Sequence, residues 1–338
     1  MSIGNENQDI SIKNIQFLKA VDIIPKDDTF HGNINLLDIE WWYFDAVFDN
    51  GYSLQIGFRI YHVRNMGIVQ TRINIYKDGK TILEKLKVSH LSHFNIDEEY
   101  PNIKIKNKKV VEFNEQKYHE NKKWEYKINL TIKDIDVDLL FYGTTKGWKI
   151  ETPTTCWTVP IPKGLVEGRI KIKKEEIPVK GIGYHDHNWS YSPVTAMNNL
   201  GWYWARISSE TMNLTWAKVI HSEDNIDLLA VLNQDGGDYY NIDPKYIEFN
   251  TKDYQVVNKG KIPKTFELKI KDESNKDKIS CNVKMDTYEL HYNRIFTIKY
   301  WRYHIKTNGF FEINNLKENL VDKSQIIEYL KFKSKNFY

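Results

Sequence analysis

Residues 124–141, WEYKINLTIKDIDVDLLF, place apolar side chains at alternate positions: Trp124, Tyr126, Ile128, Leu130 and Ile132, then Ile135, Val137, Leu139 and Phe141. A period of two marks a strand with one face on a core, and Lys133-Asp134 between the runs supplies a turn. The stretch therefore predicts a β-hairpin. The same signal recurs at Tyr52 to Ile60, at Val69 to Tyr76 ahead of Asp78-Gly79, and at Phe266 to Ile270 followed by Ile279 to Met285. Many short strands with turns between them predict an all-β protein of closed or nearly closed barrels, because closure removes unpaired edges. One helix is expected near the C-terminus, with Asp322 as cap, Gln325 at the capping-box position, and Ile326, Ile327 and Leu330 on one face.

At 338 residues the chain exceeds the usual single-domain size, so two domains are expected. The boundary is placed near Ser190 to Asn199, where Pro193 and neighbouring Asn residues interrupt the strand pattern, giving units 1–192 and 193–338. A short echo supports two related halves. Glu40 to Ala46 (EWWYFDA) precedes a turn at Asn50-Gly51, and Gly201 to Arg206 (GWYWAR) precedes a turn-like Ser208-Ser209-Glu210. Each reads as the opening hairpin of a barrel.

Ten Trp, 21 Tyr and 15 Phe suit half-buried pleated surfaces. The net charge of +3, from 48 basic and 45 acidic residues spread along the chain, argues against a nucleic-acid partner. The densest basic run, Lys104 to Lys109, reads as a solvated strand and turn. Cys156 and Cys281 fall in different halves and build neither a disulfide framework nor a zinc finger. The N-terminus has no secretory pattern and no stretch is apolar enough to cross a bilayer as a helix, so a cytoplasmic location is expected, with transient contact at a membrane surface left open. Phosphate-binding glycine loops and a GxSxG elbow are absent, and oligomeric state is not legible.

Three segments carry candidate chemistry. In Glu40 to Asp45, acids flank four consecutive aromatics, and strand geometry puts Trp41, Tyr43 and Asp45 on one face and Glu40, Trp42 and Phe44 on the other. An acid desolvated among rings has its charged form disfavoured and becomes a proton donor near neutral pH. The segment Gly181 to Trp189 (GIGYHDHNW) packs His185, Asp186, His187, Asn188 and Trp189 together, which fits an acid/base relay or a buried polar network. The His185-x-His187 pair resembles part of a metal site, with His62, His221 or Glu40 as further ligands, but no third ligand is signalled and no metal is expected. Trp202, Tyr203, Trp204 and Arg206, with Trp301 in the later run Tyr300 to His304, would stack on a polyene or in a core.

Together, Glu40 to Ala46, Gly181 to Trp189 and Trp202 to Arg206 resemble, in order and spacing, the lipocalin-like family that contains carotenoid 1,2-hydratase and AttH-type proteins. The resemblance implies two consecutive calycin-type barrels with the motifs near their contact, and distant relatives of this shape include fungal Diels-Alderases that fold polyenes without a cofactor. It implies a cofactor-independent enzyme on an apolar isoprenoid, carotenoid or polyene, in which an acid protonates an alkene, rings stabilise the cation and water adds. The candidate catalytic residues are then Asp186 or Asp45 as proton donor, His187 to orient water, Trp189 with Trp41 as the cation-facing wall, and Glu40 and Tyr43 beside them. Trp42, His185, Trp202, Tyr203, Trp204, Arg206 and Trp301 are candidate substrate contacts. One element departs: where the hydratases carry Tyr-x-Asp on a strand after His-x-Trp, Leu214 to Lys218 here holds no acid. A cyclase or pericyclase, and a carrier of lipid or pigment, are the competing expectations.

Overall fold

The computed structural model describes residues 14–32, 38–63, 66–152, 155–192, 199–222, 224–258, 260–273, 277–295 and 298–332. Most of them fall in two large, mainly antiparallel sheets, each with its own core. The hairpin read from residues 124–141 forms as Glu125–Ile132 and Ile135–Gly143, with Ile132 opposite Ile135 and Lys133 in the turn at φ +56°. Its alternate residues Ile128, Leu130, Val137, Leu139 and Phe141 are buried in the first core.

The first sheet has 12 strands. It runs from Lys80–His90 through Met66–Lys77, Tyr52–Val63 and Asp38–Phe48 to Glu175–Tyr191, then through Thr155–Ile172 and the hairpin to Phe94–Ile96. The second has 10 strands, running from Asn14–Gln16 through Asn225–Gln234, Met212–Ile220 and Gly201–Ser208 to Leu316–Lys331, then Ile298–Ile313, Ile279–Ile295, Thr265–Asp272 and Ile247–Lys252. Both halves follow one plan: the last long strand returns to pair with the first, Glu175–Tyr191 on Asp38–Phe48 and Leu316–Lys331 on Gly201–Ser208. The strands change from one sheet to the other between Tyr191 and Gly201, and most of the expected boundary, 193–198, lies outside the described residues.

The helix expected after Asp322 is instead the strand Leu316–Lys331, and Asp322 sits at φ +49° within it. The error has a physical cause. Ile327 and Tyr329 enter the second core while Ile326 packs in a separate apolar cluster, so Gln325 to Lys331 are buried on both faces. A strand covered on both faces loses its alternation, and a continuous apolar run does not separate strand from helix.

That separate cluster is the junction. Trp148, Val159 and Tyr184 of the first sheet meet Trp204, Ala217, Leu229, Val231 and Ile326 of the second. Gly181 lets the strands close on the first barrel's side, since a Cβ there would lie 2.1 Å from the Val47 carbonyl oxygen.

Candidate active site

The EWWYFD and YHDHNW segments are hydrogen-bonded neighbours. Asp186 lies opposite Tyr43, Tyr184 opposite Asp45, His187 opposite Trp42 and Asn188 opposite Trp41. Residues opposite each other in an antiparallel pair share a face, so the twelve side chains divide into two groups. Trp41, Tyr43, Asp45, Tyr184, Asp186 and Asn188 face the junction. Glu40, Trp42, Phe44, His185, His187 and Trp189 face the other way. At Ser190 the chain takes φ +59° and the register shifts, so that Tyr191 joins Asn188 on the junction side.

The junction encloses a cavity of about 850 Å³, within the range of small-molecule sites. Trp41, Tyr43, Trp157, Trp202, Trp204 and Tyr191 supply aromatic walls, with Leu18, Ile150, Val219 and Leu229 between them. Asp186 and Asn188 line the same cavity. Asp186 Oδ2 accepts from Tyr184 Oη at 2.8 Å and from Trp157 Nε1 at 3.0 Å, while Asn188 Nδ2 lies 3.2 Å from Oδ1. Burial pushes the Asp186 carboxyl up to about 7; hydrogen bonds from Tyr184 and Trp157 oppose the rise, and the nearby Glu328 and Asp45 add to it. Two donors already occupy Oδ2, so a proton on this carboxyl belongs on Oδ1. The group can hold and release a proton near neutral pH in a largely apolar space.

Beside it lies an ion cluster that joins the sheets. Asp45 Oδ1 accepts from Arg206 Nε at 2.6 Å, and Asp45 Oδ2 is 3.4 Å from Arg302 Nη2. Arg302 Nη1 donates to Glu328 Oε1 at 2.7 Å and to Tyr43 Oη at 2.6 Å. The Tyr43 hydroxyl lies 2.9 Å from Asp45 Oδ2 and 2.8 Å from Glu328 Oε1, and Tyr300 Oη donates to Glu328 at 2.7 Å. Burial pushes the Tyr43 hydroxyl well above its ordinary range, so it remains a donor. Tyr43, Tyr300 and Glu328 reach the cavity, whereas Asp45, Arg206 and Arg302 are sealed beneath it.

On the opposite face, His187 Nε2 lies 2.9 Å from Glu40 Oε1, and His187 Nδ1 faces Asp28 Oδ1 at 3.4 Å. His185 bridges Asp28 Oδ2 at 3.0 Å and the Tyr43 carbonyl at 2.9 Å, and Tyr126 Oη donates to Asp28 Oδ2 at 2.6 Å. Trp42 stacks on His187 at 4.1 Å between ring centroids, and Trp189 stacks on His31 at 3.7 Å. Burial disfavours the charges of Asp28 and Glu40, but the facing imidazoles outweigh it, holding Asp28 at about 2 and Glu40 below its usual range. Burial likewise works against the His187 cation, and Asp28 with Glu40 outweighs it, raising His187. His31, Glu40 and His187 have ligand atoms within 4.8 Å of one another, a spacing a cation could use. Glu40 Oε1, however, already accepts from the His31 backbone N–H at 3.0 Å and meets both rings. The arrangement is an ion network tying residues 28–31 to the barrel, in which Asp28 Oδ1 and His187 Nδ1 face each other at 3.4 Å without a hydrogen bond.

Its stability has a definite sign. A carboxyl held at about 2 when folded, against 3.8 ordinarily, stabilises the fold above about pH 4 and loses that contribution as pH falls through 2. Asp28→Asn is expected to be less stable than the parent at pH 6, with a gap that shrinks by roughly 2 kcal/mol between pH 4 and 2. Urea midpoints across that range check it; a constant gap refutes the charge pairing.

Of the residues singled out in the sequence, the cavity gathers Asp186, Tyr43, Trp41, Trp202 and Trp204, with Trp42 at its border. His187, Glu40, His185 and Trp189 belong to the network on the far face. Tyr203 and Trp301 stack with Tyr329 inside the second barrel, at 4.2 and 5.3 Å. Arg206 is an ion-pair partner of Asp45. His221, on the second-sheet wall of the cavity, bonds Asn199 at 2.7 Å and Asp227 at 2.8 Å, on the opposite side of the strand pair from the His185–His187 rings. Sequence reading missed Tyr184, Trp157, Arg302 and Glu328. One signal was available: Tyr43-x-Asp45 and Tyr184-x-Asp186 are two Tyr-x-Asp pairs, each closed by its own hydrogen bond on adjacent strands.

Among the described residues, no helix is long and apolar enough to cross a membrane. No curated protein matches the sequence. Among solved structures, an AttH-type protein of Nitrosomonas europaea aligns at 15% identity over 93% of this chain and 97% of its own, with a TM-score of 0.60. CghA, crystallised with Sch210972, aligns at 10% identity over 96% and 98%, with a TM-score of 0.62. Kievitone hydratase of Nectria haematococca aligns at 8% identity over 92% and 93%, at 0.55. At these identities the likeness establishes the fold, a pair of lipocalin-like barrels. The profile of the AttH-like family matches residues 21–313, a span that includes the first barrel and most of the second, up to but not including its last strand Leu316–Lys331, and the chain belongs to that family.

Proposed function

We propose that this protein is a cofactor-independent enzyme that adds water to a carbon–carbon double bond of an apolar isoprenoid or polyene held between its barrels. The observation that carries the reading is Asp186: a carboxyl with its proton near pH 7 on the wall of an aromatic cavity. The neutral acid transfers its Oδ1 proton to one alkene carbon, leaving a cation on the other. Trp41, Trp157 and Trp204 offer ring faces, each contributing on the order of 2 kcal/mol to a desolvated cation. Water adds to the cation and its released proton returns to Asp186, which restores the acid. Tyr184 and Trp157 hold the carboxyl in place. His187, behind the strand, acts as a positioning residue through the pairing of Trp42 with His187. Kievitone hydratase carries hydration in its name on the same fold, which agrees with this reading.

The test is incubation of the purified protein with farnesol, geranylgeraniol and lycopene in water enriched in heavy oxygen, with mass analysis of the products. A product one water heavier and carrying the heavy oxygen is expected. A rearranged product of unchanged mass overturns hydration in favour of cyclisation, and retention of unaltered ligand points to a carrier.

A further inference from the structure

We propose that the ligand of this cavity carries a carboxylate headgroup, bound by Arg59 and Arg72, an inference that rests on the cavity being the substrate site. The two buried arginines of the junction are matched with acids, Arg206 with Asp45 and Arg302 with Asp45 and Glu328. Arg59 and Arg72 line the same cavity, half-buried, and among the described residues neither has a carboxylate within ion-pair distance. Gln70 is paired with Arg59 and Gly57 with Arg72, so the two cations are diagonal neighbours on one face, about 7 to 8 Å apart at the backbone. Two like charges so placed repel and cost stability; Glu84 acts on Arg72 through charge but from beyond ion-pair distance, and its own close partner is His291. An anion arriving with the ligand removes that cost. The guanidinium fork matches a carboxylate in geometry, and Arg59 is held by its stack on Trp41, 5.4 Å from the ring centre.

The register shows how such a molecule would lie. Arg72 is opposite Gly57, Gly57 opposite Tyr43, and Tyr43 opposite Asp186, forming one straight row across four strands. Three strand spacings separate Arg72 from Asp186, roughly 14 Å at the backbone. Gly57 leaves the middle of the row open: a Cβ there would meet nothing nearer than the Trp42 carbonyl oxygen at 3.9 Å. A chain anchored by its carboxylate at Arg72 and Arg59 can lie over Gly57 and Tyr43 and present a double bond to Asp186.

The test uses parinaric acid, a fluorescent polyene fatty acid, and its uncharged methyl ester, titrated into the full-length protein at pH 8. The acid is expected to bind at least 10-fold more tightly than the ester, with an affinity that falls as salt rises. Arg72→Gln is expected to weaken the acid roughly 10-fold or more while moving the ester less than about 3-fold. Arg59→Lys with Arg72→Lys, which keeps both charges, should retain part of the preference. Equal binding of acid and ester by the parent overturns the headgroup inference and leaves the substrate-site reading standing. Failure of both ligands to bind overturns the two together. Equal weakening of both ligands in Arg72→Gln, with the parent preference intact, moves the anion contact away from Arg72 and also overturns it.

Discussion

Asp186→Asn is expected to remove turnover while making the protein more stable at pH 8. A positioned general acid contributes about 10²- to 10⁴-fold to rate, so loss of at least 100-fold is the expected kinetic effect. The stability effect follows from the same carboxyl. Its folded value near 7 exceeds the ordinary 3.8, so the folded state holds the proton more tightly than the unfolded chain. Stability attributable to this group therefore declines as pH rises from about 4 to about 7, and the full cost is present above that window. The shift sets a ceiling of roughly 4 kcal/mol on this effect. Asn keeps an oxygen to accept from Tyr184 and Trp157 and carries no charge. The variant minus parent difference in urea unfolding should grow between pH 5 and pH 8, and the parent rate should fall above about pH 7. Turnover within 10-fold of the parent, or a flat rate profile across that range, would remove Asp186 from the chemistry.

Arg302→Met should destabilise the protein by about 3 to 5 kcal/mol, the largest single loss at the junction. Arg302 is fully buried and neutralises Asp45 and Glu328 from the second sheet while donating to Tyr43 of the first. Removing it leaves buried carboxylates underpaired, which costs more than the pair itself contributes. Glu328→Gln in the Arg302→Met background should recover part of the loss, because one orphaned charge disappears. A double-mutant cycle by urea unfolding measures the coupling. A loss below about 1 kcal/mol for Arg302→Met would mean that water screens the cluster.

Much of this architecture was written in local pattern. Trp124 to Phe141 alternates because one face lies on a core, and the hairpin formed with the register that its two-residue turn dictates. The strand at Ser324 to Lys331 was illegible for the complementary reason: the second core and the junction cover both its faces, and alternation vanishes. The paired Tyr-x-Asp motifs were legible as local text, but their meaning was not, since Tyr43 and Asp186 become neighbours only when strands 143 residues apart in the chain are hydrogen-bonded.

Periodicity and aromatic content alone were enough to settle an all-β chain, and the clustering of acids and imidazoles among rings marked the two strands that matter. Which side of those strands is the cavity was decided by tertiary structure. Alternation divides a strand into two faces without saying what each one meets, and here Asp186 lines the cavity shared with the second barrel while His187 meets residues 28–31. Arg302 and Glu328 complete the site from beyond 250 residues away, a relation that only packing of one barrel on the other creates.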